Sequence, residues 1–177
     1  MQSKEHWEKV YTTKAPDNVS WFQEHAETSV RLIHGTGLGH EAAIIDVGGG
    51  ASTLVDDLLT EGYRALTVLD LSGAALDESK RRLGPQGESV RWIEADITRA
   101  VFEPHSFDIW HDRAVFHFLT ADEDRRAYVA QVLRALKPGG HVIMATFGAN
   151  GPTQCSGLPV VRYAPQELHS EFGEAFT

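Results

Sequence analysis

The stretch IIDVGGGAS at residues 44–52 constrains the fold more than any other part of the chain. Its apolar run leads to Asp46, three glycines follow at positions 48–50, and the residues after Ser52 have helical spacing. Glycine tolerates positive φ and lets another group pack against bare backbone. A strand that turns into a helix in this way is typical of an open parallel sheet, in which ligands bind beyond the carboxyl ends of the strands. The stretch therefore predicts a ligand site, with a tight turn that binds nothing as the alternative.

Apolar runs alternate with segments of helical period along most of the chain, which predicts an α/β fold with helices covering a parallel sheet. Helices are expected after Ser52, ending near Gly62, and after Ser72, ending at Gly84. The predicted strands are residues 43–47, 65–70, 89–95, 107–110 and 141–147.

The helix predicted after the fourth strand has the clearest pattern. Thr120 and Glu123 have the spacing of a capping box. The apolar residues that follow share one face; they are Tyr128, Val129, Val132, Leu133 and Leu136. The sequence KPGG at 137–140 is expected to end this helix, because proline cannot continue it and the glycines supply a turn. Before the first strand, residues 1–34 are predicted to form a cap of two helical stretches around the sequence APDNVSWF.

Length and composition bound the function. A chain of 177 residues with 42% hydrophobic residues fits one domain. The formal net charge of −9 argues against general binding to nucleic acid, so small molecules or proteins are the expected partners. Cys155 is the only cysteine, which excludes an intrachain disulfide and a cysteine-based zinc site, and no metal is expected. The absence of a long apolar run and of a signal-peptide core predicts a cytoplasmic protein without a membrane span.

Two kinds of nucleotide-type ligand compete for the glycine turn. A dinucleotide fingerprint has the pattern G-x-G-x-x-G, but the sixth position counted from Gly48 is Thr53. Asp46 would repel a phosphate and attract a cation. The residues therefore favour a ligand with a positive centre and disfavour a nicotinamide dinucleotide.

This motif resembles the first motif of the class I S-adenosylmethionine-dependent methyltransferases, an acid followed by spaced glycines. The later stretches TVLDLS, EADI, FDIWHDRAVFHFL and LKPGGHVIMATF resemble the family's further motifs in order, so that the resemblance spans about residues 40–148. It implies a Rossmann-like, doubly wound, mostly parallel sheet and S-adenosylmethionine as the cofactor. It also implies that the amino-acid portion of the cofactor is seated by Asp46, Gly48, Gly49 and Gly50.

The same resemblance assigns the adenosine portion. Asp70 would hold both ribose hydroxyls, since a carboxylate accepts two hydrogen bonds. Asp96 would meet the adenine amino group, and Leu71 and Ile97 would cover the ring. For Asp70 taken alone, a helix cap or a solvated turn is an equal alternative.

The N-terminal sequence resembles the cap of a branch of these enzymes that is related to protein-lysine methyltransferases. By this resemblance Trp7, Tyr11, Trp21 and Phe22 cover the methionine end of the cofactor or the substrate channel, with Trp21 as a cofactor contact. Aromatic faces attract a sulfonium through cation–π interaction. The alternative is that these side chains only pack the cap onto the sheet.

Candidates for proton transfer follow the fourth strand. His111 and Asp112 are the candidate catalytic residues, because histidine titrates near neutral pH and can act as a base. The interpretation favoured over catalysis is that His111 or Asp112 contacts the methionine end while Arg113 forms a structural ion pair. His117 lies further along.

The C-terminal part departs from the family pattern. The family completes its sheet after one more helix with an antiparallel strand pair, whereas residues 164–177 are predicted to form that helix and the sequence given ends there. We expect a single domain at 1–177, made of a cap at 1–40, a cofactor-binding core at 41–148 and an incomplete C-terminal part at 149–177. The chain would then be a piece of a longer protein or a naturally shorter form.

These observations give two hypotheses of function from different classes. The first is an enzyme that transfers a methyl group from S-adenosylmethionine to a small molecule or a protein side chain. The second is a non-catalytic module that binds the cofactor or its product and acts through a partner. The sequence decides neither the acceptor atom nor the oligomeric state, since one fold serves many functions.

Overall fold

The computed structural model describes residues 4–13 and 23–177. Trp21 and Phe22 lie outside the described residues. Five parallel strands form the main sheet in the order β3-β2-β1-β4-β5. The strands are β1 (Ala43–Val47), β2 (Ala65–Asp70), β3 (Arg91–Glu94), β4 (Phe107–Arg113) and β5 (Leu136–Ala145). The chain moves outward from β1 to β3 and then crosses to β4, so the order reverses between β1 and β4, which is where open α/β sheets bind ligands.

Helices cover both faces of this sheet, as predicted. They are α1 (Lys4–Thr13), α2 (Glu27–Gly35), α3 (Leu54–Thr60), α4 (Gly73–Leu83), α5 (Asp122–Ala135) and α6 (Pro165–Phe172). Neighbouring strand residues point to opposite faces. In β1, Ile44 packs in a cluster with Leu54 and Leu58 of α3, whereas Ile45 packs in a second cluster with Tyr128 and Val132 of α5. The doubly wound α/β fold is therefore confirmed.

Most of the predicted boundaries agree with the structure. β1 and β2 have the predicted bounds, while β3 is shorter and β4 is three residues longer than predicted. The hydroxyl of Ser72 caps α4 by accepting a hydrogen bond from the Ala75 N–H at 3.2 Å, and α4 ends before Gly84, whose φ is +55°. Glycine suits this position because it adopts a positive φ without steric cost.

The predicted capping box of α5 is wrong. The residue at the N-cap of α5 is Ala121, and no side chain caps the helix there. The carbonyl oxygens of Leu119 and Thr120 instead accept hydrogen bonds from the Arg125 guanidinium, each at 3.0 Å. Acids in the first turn of α5 favour the helix through its dipole. Thr120 and Glu123 thus have the spacing of a capping box but do not form its hydrogen bonds at the N-cap of α5.

The KPGG sequence does not form a separate turn after α5. The helix ends at Ala135 and β5 begins at Leu136, so residues 137–140 belong to the strand. Pairing with β4 shifts within this stretch, since Leu136 pairs with Phe107 and His141 with Ile109. A bulge therefore replaces the predicted turn, and Gly139 permits it with a φ of +78°.

An antiparallel strand pair lies between β5 and α6, separate from the main sheet. Its strands are β6 (Gln154–Cys155) and β7 (Leu158–Pro159). The segment is attached by two backbone hydrogen bonds, from Val161 N–H to the His117 carbonyl at 2.7 Å and from Tyr163 N–H to the Phe147 carbonyl at 3.0 Å. The pair therefore packs beside the carboxyl ends of β4 and β5, and within the described residues β5 is hydrogen-bonded only to β4 in the main sheet.

Candidate active site

A cavity of about 290 Å³ lies beyond the carboxyl ends of the strands. It runs across the ends of β3, β2, β1 and β4 and reaches the residues that follow β5. The predicted site residues that line it are Asp46, Gly48, Gly49, Asp70, Leu71, Asp96, Ile97 and His111. Gly50 and Asp112 are outside the lining, and Trp21 is outside the described residues.

The residues around the turn after β1 require glycine at positions 48 and 49. Gly48 has a φ of +72°, and its N–H donates to the Leu69 carbonyl at 2.7 Å. A Cβ on Gly48 would overlap the Val115 side chain, and one on Gly49 would overlap the Asp46 carboxylate. The positions of Val115 and Asp46, which also line the cavity, therefore require bare backbone at the turn.

Gly50 has a structural role beside the site. A Cβ there would lie 2.7 Å from both the Ala75 Cβ and the Asp70 Oδ2. The Gly50 N–H donates to Asp70 Oδ2 at 3.0 Å, and the Gly50 carbonyl accepts from the Ser79 hydroxyl at 2.5 Å. Gly50 thus ties the turn after β1 to α4 rather than facing a ligand.

Asp46 and His111 form a buried pair on neighbouring strands. His111 Nδ1 lies 2.7 Å from Asp46 Oδ1, and His111 Nε2 lies 2.9 Å from the Ser29 hydroxyl of α2. The second carboxylate oxygen, Asp46 Oδ2, is buried and has no hydrogen-bond partner among the described residues. Because both ring nitrogens of His111 are engaged, the imidazole orients Asp46, and the oxygen left over suits a cationic group.

Asp70 ends β2 and contributes to both the cavity and the backbone. Its Oδ2 accepts from Gly50 N–H at 3.0 Å, and its Oδ1 accepts from Ser72 N–H at 2.9 Å. Burial raises the pKa of Asp70 to about 6, against the opposing effect of these backbone donors. Each oxygen retains a lone pair, so the carboxylate can still accept hydroxyl groups from the cavity.

Asp96 lines the far end of the cavity. Its Oδ1 accepts from the Thr98 N–H at 2.9 Å and the Thr98 hydroxyl at 2.8 Å. Its Oδ2 is buried without a hydrogen-bond partner among the described residues. The side chains of Leu71 and Ile97 line the cavity nearby. A carboxylate beside two apolar side chains fits a flat ring that carries an amino group.

Asp112 is fully buried on the opposite side of β4 from the cavity. Its carboxylate accepts hydrogen bonds from the Tyr128 hydroxyl at 2.5 Å, from Val115 N–H at 2.8 Å and from Phe116 N–H at 3.1 Å. Tyr128 in turn accepts from Trp110 Nε1 at 2.8 Å. Burial raises the pKa of Asp112 to about 6. Asp112 therefore holds the loop after β4 in place. It does not line the cavity, so the structure does not support its predicted catalytic role.

Helix α1 closes one side of the cavity. Trp7 and Tyr11 line it, with their rings stacked at a centroid distance of 6.0 Å, and Trp7 meets Phe118 edge to face at 5.3 Å. The Glu8 carboxylate anchors the helix by accepting from the Gly73 N–H at 2.7 Å, at the start of α4. Of the four aromatic residues predicted to cover the site, Trp7 and Tyr11 therefore line the cavity.

The sequence patterns did not indicate several other lining residues, among them Phe118, Phe147 and Cys155. They follow β4, follow β5 and lie in β6, so only the folded topology brings them together. The Arg113 guanidinium donates a hydrogen bond to the Gln23 amide oxygen, and its predicted ion pair stays a prediction.

The residues fit S-adenosylmethionine. Asp46 Oδ2 and Asp96 Oδ2 are carboxylate oxygens without hydrogen-bond partners at the two ends of the polar part of the cavity, among the described residues. Bare backbone at Gly48 and Gly49 lies between them. A molecule with a cationic amino-acid end and an adenine end matches this arrangement, which defines the class I S-adenosylmethionine-dependent methyltransferases.

Comparison with known proteins gives the same answer. The methyltransferase domain family matches residues 44–140, more than half of the chain. The chain therefore belongs to the methyltransferase domain family. The predicted family, fold class and cofactor are confirmed.

Individual relatives cover most of this chain. EEF1A lysine methyltransferase 2 of Danio rerio is 25% identical over 158 residues, which are 81% of this chain and 68% of that protein. The eEF1A lysine and N-terminal methyltransferase of Danio rerio is 24% identical over 147 residues, which are 81% of this chain. The chain spans only 21% of the length of that second protein.

Among solved structures, a similar fold occurs in 1,6-didemethyltoxoflavin-N1-methyltransferase of Burkholderia thailandensis, with bound 1,6-didemethyltoxoflavin and S-adenosylhomocysteine. The TM-score is 0.67 at 21% identity, and the alignment covers 98% of this chain and 72% of the other. In the described part of this chain, no helix is long and apolar enough to cross a membrane.

Proposed function

We propose that the protein transfers a methyl group from S-adenosylmethionine to a small molecule or a protein side chain. One observation carries this proposal. Acids that end or follow three successive strands, Asp46, Asp70 and Asp96, line one cavity together with the bare backbone of Gly48 and Gly49. The cytoplasmic location stays a prediction.

Each of these groups has a task in binding. Asp46, held by His111 and with one carboxylate oxygen unpartnered among the described residues, would meet the positively charged methionine end. Asp70 accepts the ribose hydroxyls, and Asp96 accepts the adenine amino group between Leu71 and Ile97. The cofactor supplies an activated methyl group on a sulfonium, so the protein mainly has to align the acceptor and exclude water.

The acceptor belongs to one of the two classes that the relatives represent. EEF1A lysine methyltransferase 2 is named for a protein side chain, and 1,6-didemethyltoxoflavin-N1-methyltransferase is named for a small molecule. The cofactor end of the cavity is compatible with both classes, because it does not contact the acceptor.

Calorimetric titration of the 177-residue chain tests the cofactor assignment. We expect S-adenosylhomocysteine to bind and NAD not to bind, because the turn at Gly48 to Gly50 is preceded by Asp46 and lacks the third fingerprint glycine. Binding of NAD in preference to S-adenosylhomocysteine, or of neither ligand, would contradict the proposal.

A further inference from the structure

Helix α2 contacts the candidate active site through the side chain of Ser29. The Ser29 hydroxyl lies 2.9 Å from His111 Nε2, and His111 Nδ1 lies 2.7 Å from Asp46 Oδ1. All three side chains are buried, and of the three His111 and Asp46 line the cavity while Ser29 does not. Two hydrogen bonds in series therefore connect α2 to a carboxylate of the cavity.

The chemistry of the three groups gives each hydrogen bond a direction. A carboxylate only accepts, so His111 Nδ1 carries the proton that it donates to Asp46. A neutral imidazole with its proton on Nδ1 accepts at Nε2, and the Ser29 hydroxyl is then the donor. The same order of hydroxyl, imidazole and carboxylate occurs in the triads of serine hydrolases. Because Ser29 does not line the cavity, this order of groups serves orientation here rather than attack on a substrate.

The charge on the His111 ring determines how much of the Asp46 charge is left for a ligand. The carboxylates of Asp46 and the neighbouring Asp112 favour a protonated ring. Burial of the ring, which is 3% exposed, and the positive charge of Arg113 favour a neutral one. A hydroxyl that donates to Nε2 adds to the neutral side, since a protonated Nε2 has no lone pair to accept it. A cationic ring would compete with a cationic ligand for the same carboxylate.

We propose that Ser29 is a positioning residue for the cofactor. It donates to His111 Nε2, holds the ring neutral and in one orientation, and so keeps the charge of Asp46 available for the cationic amino-acid end of S-adenosylmethionine. This inference rests on the proposed function, which places that end at Asp46. The carboxylates assigned to the adenosine end, Asp70 and Asp96, are oriented by donors that lie outside α2. Ser29 should therefore act on one end of the cofactor.

Removing the Ser29 hydroxyl should leave α2 in place. His34 Nε2 of α2 lies 2.7 Å from Glu61 Oε2, just beyond the end of α3. Ile33 is fully buried in the same hydrophobic cluster as the apolar residues of α3. Alanine is also a good helix former. Substitutions at position 29 therefore test the hydrogen bond rather than the helix.

Two ligands separate this role from a general effect on the fold. S-adenosylhomocysteine carries the amino-acid end, whereas 5′-methylthioadenosine has the adenosine part and lacks that end. In calorimetric titrations, Ser29→Ala should bind S-adenosylhomocysteine about two- to tenfold more weakly than the wild type, because side chains left loose must be ordered on binding. Its affinity for 5′-methylthioadenosine should be unchanged.

Two further variants test whether the hydroxyl or its volume matters. Ser29→Cys keeps the size of the side chain but replaces the hydroxyl with a weak thiol donor, so it should show the same selective loss as Ser29→Ala. Thr28→Ala removes a hydroxyl from the neighbouring, exposed position of α2 and should bind both ligands like the wild type.

Nitrogen NMR of His111 gives a measurement on the wild type itself. At neutral pH, Nδ1 should have the chemical shift of a protonated nitrogen and Nε2 that of a nitrogen with a free lone pair for the Ser29 hydroxyl. A protonated Nε2 would mean that Ser29 accepts rather than donates, and would overturn the proposal.

The binding outcomes distinguish this inference from the proposed function. If Ser29→Ala weakens both ligands equally, or neither, Ser29 has no positioning role in a protein that binds S-adenosylhomocysteine. Wild-type affinity of Ser29→Cys for S-adenosylhomocysteine would assign Ser29 to packing alone. A wild-type chain that does not bind S-adenosylhomocysteine fails the proposed function itself, and the role of Ser29 falls with it.

Discussion

At the scale of residues, the candidate site depends on the three carboxylates that line the cavity, those of Asp46, Asp70 and Asp96. Asp46 and Asp96 each use one oxygen for an internal hydrogen bond and leave the other without a partner among the described residues. Internal bonds fix the orientation of each carboxylate before a ligand arrives, which lowers the cost of binding. Substitutions that change only the second oxygen therefore test the site without dismantling it.

Asp96→Asn is the cleanest such substitution, because the side-chain oxygen can still accept from Thr98. The new amide group would face the adenine amino group, donor against donor, and losing a hydrogen bond to a charged group costs about 1.5–3 kcal/mol. We expect S-adenosylhomocysteine affinity measured by calorimetry to fall about tenfold or more. Asp77→Asn, an exposed substitution on α4, is the control and should bind like the wild type.

The adenine analogue S-inosylhomocysteine, in which an oxygen replaces the amino group, tests the same contact from the ligand side. The wild type should prefer S-adenosylhomocysteine, and Asp96→Asn should lose that preference, because its amide can donate to the oxygen. An unchanged preference in the variant would remove Asp96 from the adenine site.

Asp112 should make the stability of the protein depend on pH. The pKa of Asp112 is about 6 in the folded protein, compared with an ordinary value of 3.8 for an aspartate side chain. At a pH between these two values, the folded protein therefore binds more protons than the unfolded chain. Wild-type stability relative to Asp112→Asn should therefore rise as pH falls through this window, by an amount on the order of 3 kcal/mol. Urea denaturation at neutral and mildly acidic pH measures it, and a difference between the two proteins that does not vary with pH would contradict this account.

The sequence identified the residues whose role follows from a local position, and missed those whose role depends on distant contacts. Asp46, Asp70 and Asp96 end or follow a strand, so their clustering could be predicted from a parallel sheet alone. Tyr128 was expected only as an apolar helix-face residue, and its hydroxyl bond to Asp112 depends on how α5 packs on β4. No spacing rule predicts such a contact.

At the scale of elements, the turn after β1 and helix α1 both border the cavity. Strand bounds were predictable where an apolar run is bracketed by turn residues, as in β1 and β2. The KPGG sequence was assigned a turn because its glycines and proline favour one locally. Pairing with β4 determines its actual state, since residues 137–140 remain in the strand as a bulge.

The anchor of α1 gives a prediction about how long the cofactor product stays bound. Glu8 joins α1 to the N-terminus of α4, an interaction of a carboxylate with a helix dipole worth about 0.3–1 kcal/mol. Glu8→Ala should loosen the cover that Trp7 and Tyr11 provide and raise the dissociation rate of S-adenosylhomocysteine about two- to fivefold in stopped-flow experiments. Glu5→Ala, an exposed substitution on the same helix, should leave that rate unchanged, and equal rates for both variants would rule out the anchor.

At the scale of the whole molecule, the strand order creates the division of the cavity. Crossing from β3 back to β4 places the acids of the first three strands on one side and the aromatic residues after β4 and β5 on the other. The acidic half could be predicted from the chain order of motifs. The aromatic half could not, because Phe118, Phe147 and Cys155 come from three segments that meet only when β6 and β7 fold back beside the sheet.

A crystal structure of the chain with S-adenosylhomocysteine tests the central claim most directly. We expect adenine between Leu71 and Ile97 with its amino group on Asp96, ribose hydroxyls on Asp70, and the homocysteine end over Gly48 and Gly49. The space between Phe118 and Phe147 should stay open. A ligand bound in the reverse direction, or one that fills the space between Phe118 and Phe147, would contradict it.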